Sequence, residues 1–522
     1  MDQLALIVGL LFATVLAVGL GERLRLPYPV LMLLLAATLT FIPGFPEFHI
    51  EPELILPLFL PPLLFATAQR SSWSVFRIRW RTILMFAVAL VVVTVAFVAS
   101  AAWLLIPGIG VAGAIALGAM VAPPDPVAVE SVAGRVHMPR RLLTTLQSEG
   151  LFNDAAAIVI FQAAAGATVA GTGIGADVLW HFLLGAALAV VLGFAAGWLI
   201  KVVTRFVHSL VARSAITLVV PFAVYILAEE VHASGVIAVV VTALEMKRRA
   251  RPQDAAERIT RTAFWDVVEM LATGLAFGLM GLEMHKVIEE EGTAVFGMVG
   301  TAVTVCVLVV AVRFSWMYLA MWVGRRRTGS LPPTSWKDVL ILSWCGMRGL
   351  ATLALALSLP ATLTGGEDFQ ARHEIIVTAC AVLLATLVLP GLTLPWLMKV
   401  LRAKATGQEE REAALVLASR AQEAAVAALQ DADVVKDLPE DKLDVVRVRM
   451  KRLRADLMGA VPVGPKRKKG DEDRELIVTV QTIALAAARQ EVLEARNEPD
   501  TDPEVADRVL RQLDLRTMMM PD

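Results

Sequence analysis

The chain has 522 residues, of which 57% are hydrophobic and 19% charged, with a mean hydropathy of +0.66. The charged share lies below the roughly 25% usual for soluble domains and excludes a wholly soluble chain. Net charge is −1 and by itself decides nothing, and no nucleic-acid partner is expected.

Apolar runs recur from the N-terminus to about Leu401. Lipid admits only helices or closed barrels, so most of the chain is expected to be an all-α polytopic membrane protein in contact with the bilayer. About thirteen spans are predicted, near 3–20, 28–43, 53–69, 81–106, 110–134, 142–166, 177–204, 213–229, 234–247, 262–283, 293–323, 336–360 and 373–400. The first run has no basic n-region and no small-residue cleavage site, so it is expected to be a span rather than a removable signal. Lys and Arg crowd every second loop, from Arg23 and Arg25 through Lys247, Arg248 and Arg249 to Arg325, Arg326 and Arg327. The intervening loops hold Lys286 and Arg372. The positive-inside rule then puts the N-terminus outside a cell membrane and the C-terminus in the cytoplasm. Cys306, Cys345 and Cys380 lie inside apolar spans without metal-ligand spacing and read as buried thiols.

Two spans are internally broken. VAPPDPVAV in the fifth places Pro123, Pro124 and Pro126 around Asp125, and each proline removes an amide donor and crowds the preceding turn. LSWCGMRGLATL in the twelfth places Gly346 and Gly349 around Arg348, a weaker breaker with the same effect. A shift of seven spans inverts orientation, so spans 1–6 and 8–13 are expected to form two inverted six-helix repeats. Broken helices at matching positions of inverted halves point to a transport site.

The sixth span, LLTTLQSEGLFNDAAAIVIFQAAAG, carries Glu149, Asn153 and Asp154 within six residues. A charge near the bilayer centre costs at least ~2.5–3.5 kcal/mol, so each needs a partner or a task. Glu149 and Asn153 share one helix face and Asp154 lies about 100° round it. Arg348 is the natural guanidinium for Glu149, with Asp125 the other candidate partner. Either carboxylate could instead compensate exposed half-helix ends. Asp154 is left without an obvious permanent counter-ion. A lone carboxylate beside an amide oxygen and released carbonyls suits a dehydrated small cation, or a proton in its place. Arg313, within the eleventh span, is expected to snorkel or to pair in the interior. After about Arg402 the chain turns charged and Ala/Leu-rich, with helices expected over 408–430, 441–460 and 473–496 of a cytosolic tail.

SEGLFNDAAAIVIF is similar to the Asn-Asp signature helix of the electroneutral monovalent cation/proton antiporters, the branch that joins bacterial antiporters and animal sodium/proton exchangers. APPDPVAV resembles that family's Asp-Pro broken helix, WCGMRGLATLALAL its Gly-Met-Arg-Gly helix, and FLPPLLF at 59–65 its third-span Pro-Pro motif. The resemblance covers about residues 1–400. It implies that Asp154 exchanges Na+, or Li+ or K+, for H+ with Asn153 beside it, one proton per cation. It implies that Glu149 and Arg348 pair, that Asp125 sits at a helix crossing, and that no cofactor is needed beyond the transported ions. It further implies a homodimer. A core (81–166 and 293–400) moves as an elevator against a dimerisation part (3–69 and 177–283), within a membrane domain over 1–403 followed by the tail over 404–522. Three positions depart from the pattern: Ala66 where an acid is frequent, Gly150 where Ser is, and Pro124 where Thr is, which leaves only its carbonyl as a ligand. Weaker Na+ binding is the expected consequence. Two other classes fit the sequence less well. An intramembrane aspartyl protease built on Asp125 and Asp154 lacks the Gly-x-Gly-Asp motif, and a cation channel lacks a filter-like loop.

Overall fold

The computed structural model describes residues 2–24, 26–41, 52–70, 84–133, 138–170, 176–207, 209–248, 255–324, 333–360, 362, 369–401, 407–432, 471–496, 498, 501 and 503–518. Every regular element among them is a helix. The first half comprises α1 (Asp2–Leu24), α2 (Tyr28–Leu39), α3 (Pro52–Arg70), α4 (Leu90–Leu105, entered through a π turn at Met85–Ala89), α5 (Gly110–Val121), α6 (Pro126–Ala133), α7 (Arg140–Ala170) and α8 (Ala176–Phe206). There follow α9 (Leu210–Glu230), α10 (Gly235–Arg248), α11 (Ala255–Glu291), α12 (Val295–Gly324), α13 (Trp336–Trp344), α14 (Leu350–Leu357) and α15 (Arg372–Leu401). The C-terminal helices are α16 (Gly407–Asp431), α17 (Asp471–Ala495) and α18 (Pro503–Met518). The tail helix expected over 441–460 lies outside the described residues, as do the basic side chains of Arg249 and of Arg325, Arg326 and Arg327.

By length and hydropathy, seven described helices can cross a membrane, and α2, α5 and part of α7 are shorter apolar helices. α11 runs well past the apolar stretch predicted for it, because the flanking AAERITR and HKVIEEE are polar but good helix formers. Hydropathy marks the part of a helix that lipid touches, not its ends.

The chain divides into two compact units, one of Met1–Ser71, Arg79–Arg248 and Trp265–Ala405, the other of Ser72–Ile78, Arg249–Phe264 and Thr406–Asp522. In the first, α15 is the inner helix. Some 67% of its membrane window is buried against 22% for α1 and for α8, whose remaining apolar faces suit lipid. α12 and α14 pack on α15, and α5 packs between α4 and α7. α3 packs on α9 and α10 and reaches α14 and α7. Small residues set the close approaches. A Cβ on Gly118 of α5 would meet the Val95 carbonyl oxygen of α4 at 2.8 Å, so only glycine lets these two helices touch there.

Two helices are interrupted. α5 stops at Val121 and α6 restarts at Pro126, whose missing N–H falls where a helix has no use for one. α13 opens on a capping box, with Ser335 Oγ accepting from Asp338 N and the Asp338 carboxylate accepting from Ser335 N, and stops at Trp344. Residues 345–349 are non-helical before α14 begins. The two interruptions cross, since Asp125 N donates to Met347 O at 2.7 Å.

In the second unit, α16, α17 and α18 close on their own core, with Leu417, Ala421 and Leu429 against Val480, Ala488, Val492, Val509 and Leu513. The apolar residues recur every three or four positions, and the alanines let the helices approach closely. A buried ion pair, Arg489 Nη2 to Asp514 Oδ1 at 3.0 Å, ties α17 to α18.

Candidate functional site

Four helix ends meet where the two interruptions cross, and each end exposes backbone groups that no helix of its own can satisfy. The C-terminal end of α5 points its carbonyls at Arg348. The guanidinium donates from Nε to Val121 O at 2.8 Å and from Nη2 to Ala122 O at 3.2 Å, and from Nη1 to Gly346 O just past the end of α13. One cation therefore serves two helix C-termini, the ends that carry partial negative charge. The N-terminal ends of α6 and α14 meet Asp125. Its Oδ1 accepts from Val127 N at 2.8 Å and Ala128 N at 3.4 Å, and its carboxylate lies against Gly349 at the start of α14. One anion serves two helix N-termini. A side chain at position 349 would overlap the Asp125 carboxylate, so the second glycine of the Gly-Met-Arg-Gly stretch is required by the crossing itself.

The expected Glu149–Arg348 pair is corrected. The guanidinium on Glu149 belongs to Arg313 of α12, with Nη1 on Oε1 at 2.5 Å and Nη2 on Oε2 at 3.0 Å, and both side chains are 2% exposed or less. Arg313 also donates from Nε to Leu342 O at 3.0 Å, near the end of α13. Among the described residues the hydrogen bonds of the Arg348 side chain go to carbonyls, because it sits within the interruption where orphan carbonyls are nearest. Gly346 leaves room for the Arg313 stem, whose Cδ would lie 2.5 Å from a Cβ at that position. Of the two expectations for Arg313, snorkelling or pairing in the interior, the structure shows the second, with a partner the sequence did not identify. The available signal was an arginine deep in a span of Val, Phe and Trp, where a buried acid or released carbonyls must hold it.

Asn153 and Asp154 are both buried on α7. Asn153 Nδ2 donates to Pro124 O at 2.9 Å, and its Oδ1 accepts from Asp154 N at 2.6 Å. The asparagine thus ties α7 to the carbonyl that the proline run releases. A carbonyl oxygen has two lone pairs, so each of these two oxygens keeps capacity for a further ligand. The Asp154 carboxylate has no cationic side chain and no hydrogen-bond donor on it among the described residues. It lines a cavity of about 30 Å³ together with Asp125, Pro123, Val127, Gly349, Leu350 and residues of α3. That volume is enough to hold water or a monovalent ion. Every other charge at the crossing has a fixed partner, whereas Asp154 has a space in front of it. The three departures from the family pattern also take definite places. Ala66 and Gly150 are buried, and the Pro124 carbonyl is held by Asn153.

The sodium/hydrogen exchanger transmembrane family profile matches residues 9–400. An Na+/H+ exchanger of Mycobacterium tuberculosis, itself uncharacterized, is 30% identical over 99% of this chain and 96% of its own length. A sodium, potassium, lithium and rubidium/H+ antiporter of Bacillus subtilis is 30% identical over 71% of this chain and 57% of its own length. In fold, the chain is similar to the sodium/proton antiporter MjNhaP1 of Methanocaldococcus jannaschii, with a TM-score of 0.59 at 19% identity over 77% of this chain and 100% of that one.

Proposed function

The chain belongs to the sodium/hydrogen exchanger family, a family of transporters rather than enzymes, and on that premise we propose that it exchanges a monovalent cation for H+ by competition at Asp154. The observation that carries the reading is the Asp154 carboxylate, buried at the crossing, unpaired among the described residues and facing a cavity with room for water or an ion. A carboxylate in that position holds either a cation or a proton, and never both. Asp125 and Arg348 neutralise the four helix ends, so the field at the cavity is left to Asp154. Asn153 Oδ1 and the Pro124 carbonyl, next in sequence to the cavity-lining Asp154 and to Pro123 and Asp125, are the neutral oxygens we propose for an ion's shell. The Glu149–Arg313 pair joins α7 to α12, and with them the two broken helices, into one body.

Na+ is the proposed cation, with Li+ and K+ as the alternatives, which the four cations in the name of the Bacillus relative keep open. We place the protein in the plasma membrane as a homodimer of thirteen-span subunits built from two inverted repeats. The N-terminus is outside and the tail cytoplasmic. Residues 81–166 and 293–400 move as an elevator against 3–69 and 177–283. The reading is tested by cation-driven proton movement in proteoliposomes. Asp154→Asn is expected to abolish exchange while the protein stays monodisperse. Exchange that survives in Asp154→Asn removes Asp154 as the carrier and the proposal with it.

A further inference from the structure

The cavity at Asp154 lies on a boundary. Leu60, Leu63, Leu64 and Thr67 line it from α3, and the other described residues around it belong to α7 and to the two interrupted helices. The three leucines are spaced i, i+3 and i+4, which puts them on one helix face, and each is buried. Other sides of α3 fasten it elsewhere. Gln69 Nε2 donates to Ala243 O of α10 at 3.1 Å, and the Phe65 ring sits 5.0 Å from that of Trp265 on α11. The leucine face is thus rooted in the 3–69 and 177–283 part, while the carboxylate across the cavity is carried by the 81–166 and 293–400 part. Ala66, where the family pattern frequently has an acid, is buried and outside the described lining, so α3 brings no charge to the cavity among the described residues.

We propose that Leu60, Leu63 and Leu64 are the coupling barrier of the exchange cycle, a hydrocarbon wall that Asp154 passes only after a cation or a proton has neutralised it. The proposal rests on the exchange reading above and deepens it. An ionised carboxylate facing hydrocarbon keeps its full desolvation cost, whereas a protonated one, or one holding a monovalent cation, presents no net charge. The guanidiniums of Arg313 and Arg348 are committed elsewhere, to Glu149 and to backbone carbonyls. Thr67, one turn further along α3, directs its hydroxyl proton to Leu63 O at 3.0 Å. Movement of the core against α3 is therefore open to both loaded forms of the site and closed to the empty, ionised one. The charge balance follows. When every crossing carries a neutral site, one cation goes one way and one proton the other, with no net charge moved. An ionised site that returned empty would leave one uncompensated positive charge across the membrane per cycle, and a cation gradient would drain without moving a proton. The ligands at Asp154 decide what binds, and the leucine wall decides that nothing returns unloaded.

The test reads coupling rather than rate. Proteoliposomes holding the full chain are given an inward Na+ gradient at equal pH, and Na+ uptake, internal pH and membrane potential are recorded together. The parent is expected to move one proton per Na+ and to build no potential. Leu63→Asn sets an amide donor against the ionised carboxylate in place of hydrocarbon. It is expected to raise Na+ entry without proton exit about tenfold, the factor that one hydrogen bond to a charged group supplies, and to build an inside-positive potential. Leu60→Asn and Leu64→Asn should slip in the same way, whereas Leu63→Met keeps the hydrocarbon and should stay coupled. A role in packing alone would lower yield or Vmax and leave the ratio of ions at one. If none of the three Asn variants folds, Leu63→Ala, which makes room for water beside the carboxylate, must slip. Tight coupling in the variants that fold overturns the barrier, as does a parent that takes up Na+ without releasing protons. A leak that persists when Asp154→Asn is added to Leu63→Asn overturns it too, since that leak does not pass through the carboxylate. A parent that moves no protons under any cation gradient overturns the exchange reading as well. A coupled parent with equally coupled Asn variants overturns the barrier alone.

Discussion

Glu149 and Arg313 are 164 residues apart in the chain and meet as a two-point pair in the interior of the first unit. Burying both charges together removes most of the cost of burying either, and removing one partner restores that cost in full. Arg313→Met is therefore expected to lower stability by about 3–5 kcal/mol, read as thermal unfolding in detergent. Glu149→Gln in the same chain should recover part of the loss. The double-mutant cycle between positions 149 and 313 should show coupling of about 1–3 kcal/mol, well above that between 149 and 348. A larger coupling to Arg348 would return the pair to the assignment that the motif alone suggested. A smaller effect belongs to His232, the described non-glycine residue with a positive φ, of 56°. Left-handed backbone costs an ordinary side chain roughly 1 kcal/mol, so His232→Gly should leave the unfolding temperature equal or higher.

At the scale of the element, the crossing of the broken helices is the demanding feature. Proline explains why α5 cannot run into α6, but α13 and α14 part at glycines whose reason is steric: Gly349 makes room for Asp125 and Gly346 for Arg313. Gly349→Ala is expected to lower folded yield and to cost stability on the order of 3 kcal/mol, since a new methyl would occupy the Asp125 carboxylate. The check is size-exclusion profile and unfolding temperature, with wild-type behaviour as the contrary result. In the three-helix unit, Arg420 donates to both oxygens of Glu498 at 2.7 and 2.8 Å, and this holds the exposed Glu498 carboxyl below its ordinary value of 4.5. A lowered folded-state pKa contributes stability above the unfolded value and loses it as pH falls through the folded one. Amide protection in α17 and α18 should then be level from neutral pH down to about 5 and fall below 4.5, by less in Glu498→Gln, as hydrogen exchange would report. The effect is modest, because water screens an exposed pair.

For the whole molecule, competition at one carboxylate links stability to both ions. A cation that binds the folded protein raises its unfolding temperature, and a proton on Asp154 takes that binding away. Saturating Na+ or Li+ is thus expected to raise the unfolding temperature by more at alkaline than at acidic pH, and to do nothing in Asp154→Asn. A cation effect that ignores pH, or survives in Asp154→Asn, contradicts competition at this residue.

Helix placement and the two interruptions were legible from hydropathy, proline and glycine, because lipid forces every backbone group to be satisfied along its own segment. So was the candidate carboxylate, since three polar residues on one apolar helix cannot be accidental, and the direction of each side chain follows from helical spacing. Spacing along a helix says nothing about which neighbour that direction meets. That Arg313 and not Arg348 takes Glu149, that Arg348 caps carbonyls of α5, and that Thr67 rather than Ala66 lines the cavity were decided by how distant helices rotate against each other. Those rotations are set by close packing at positions such as Gly118, Gly346 and Gly349, a property of pairs of helices that no single stretch of chain contains.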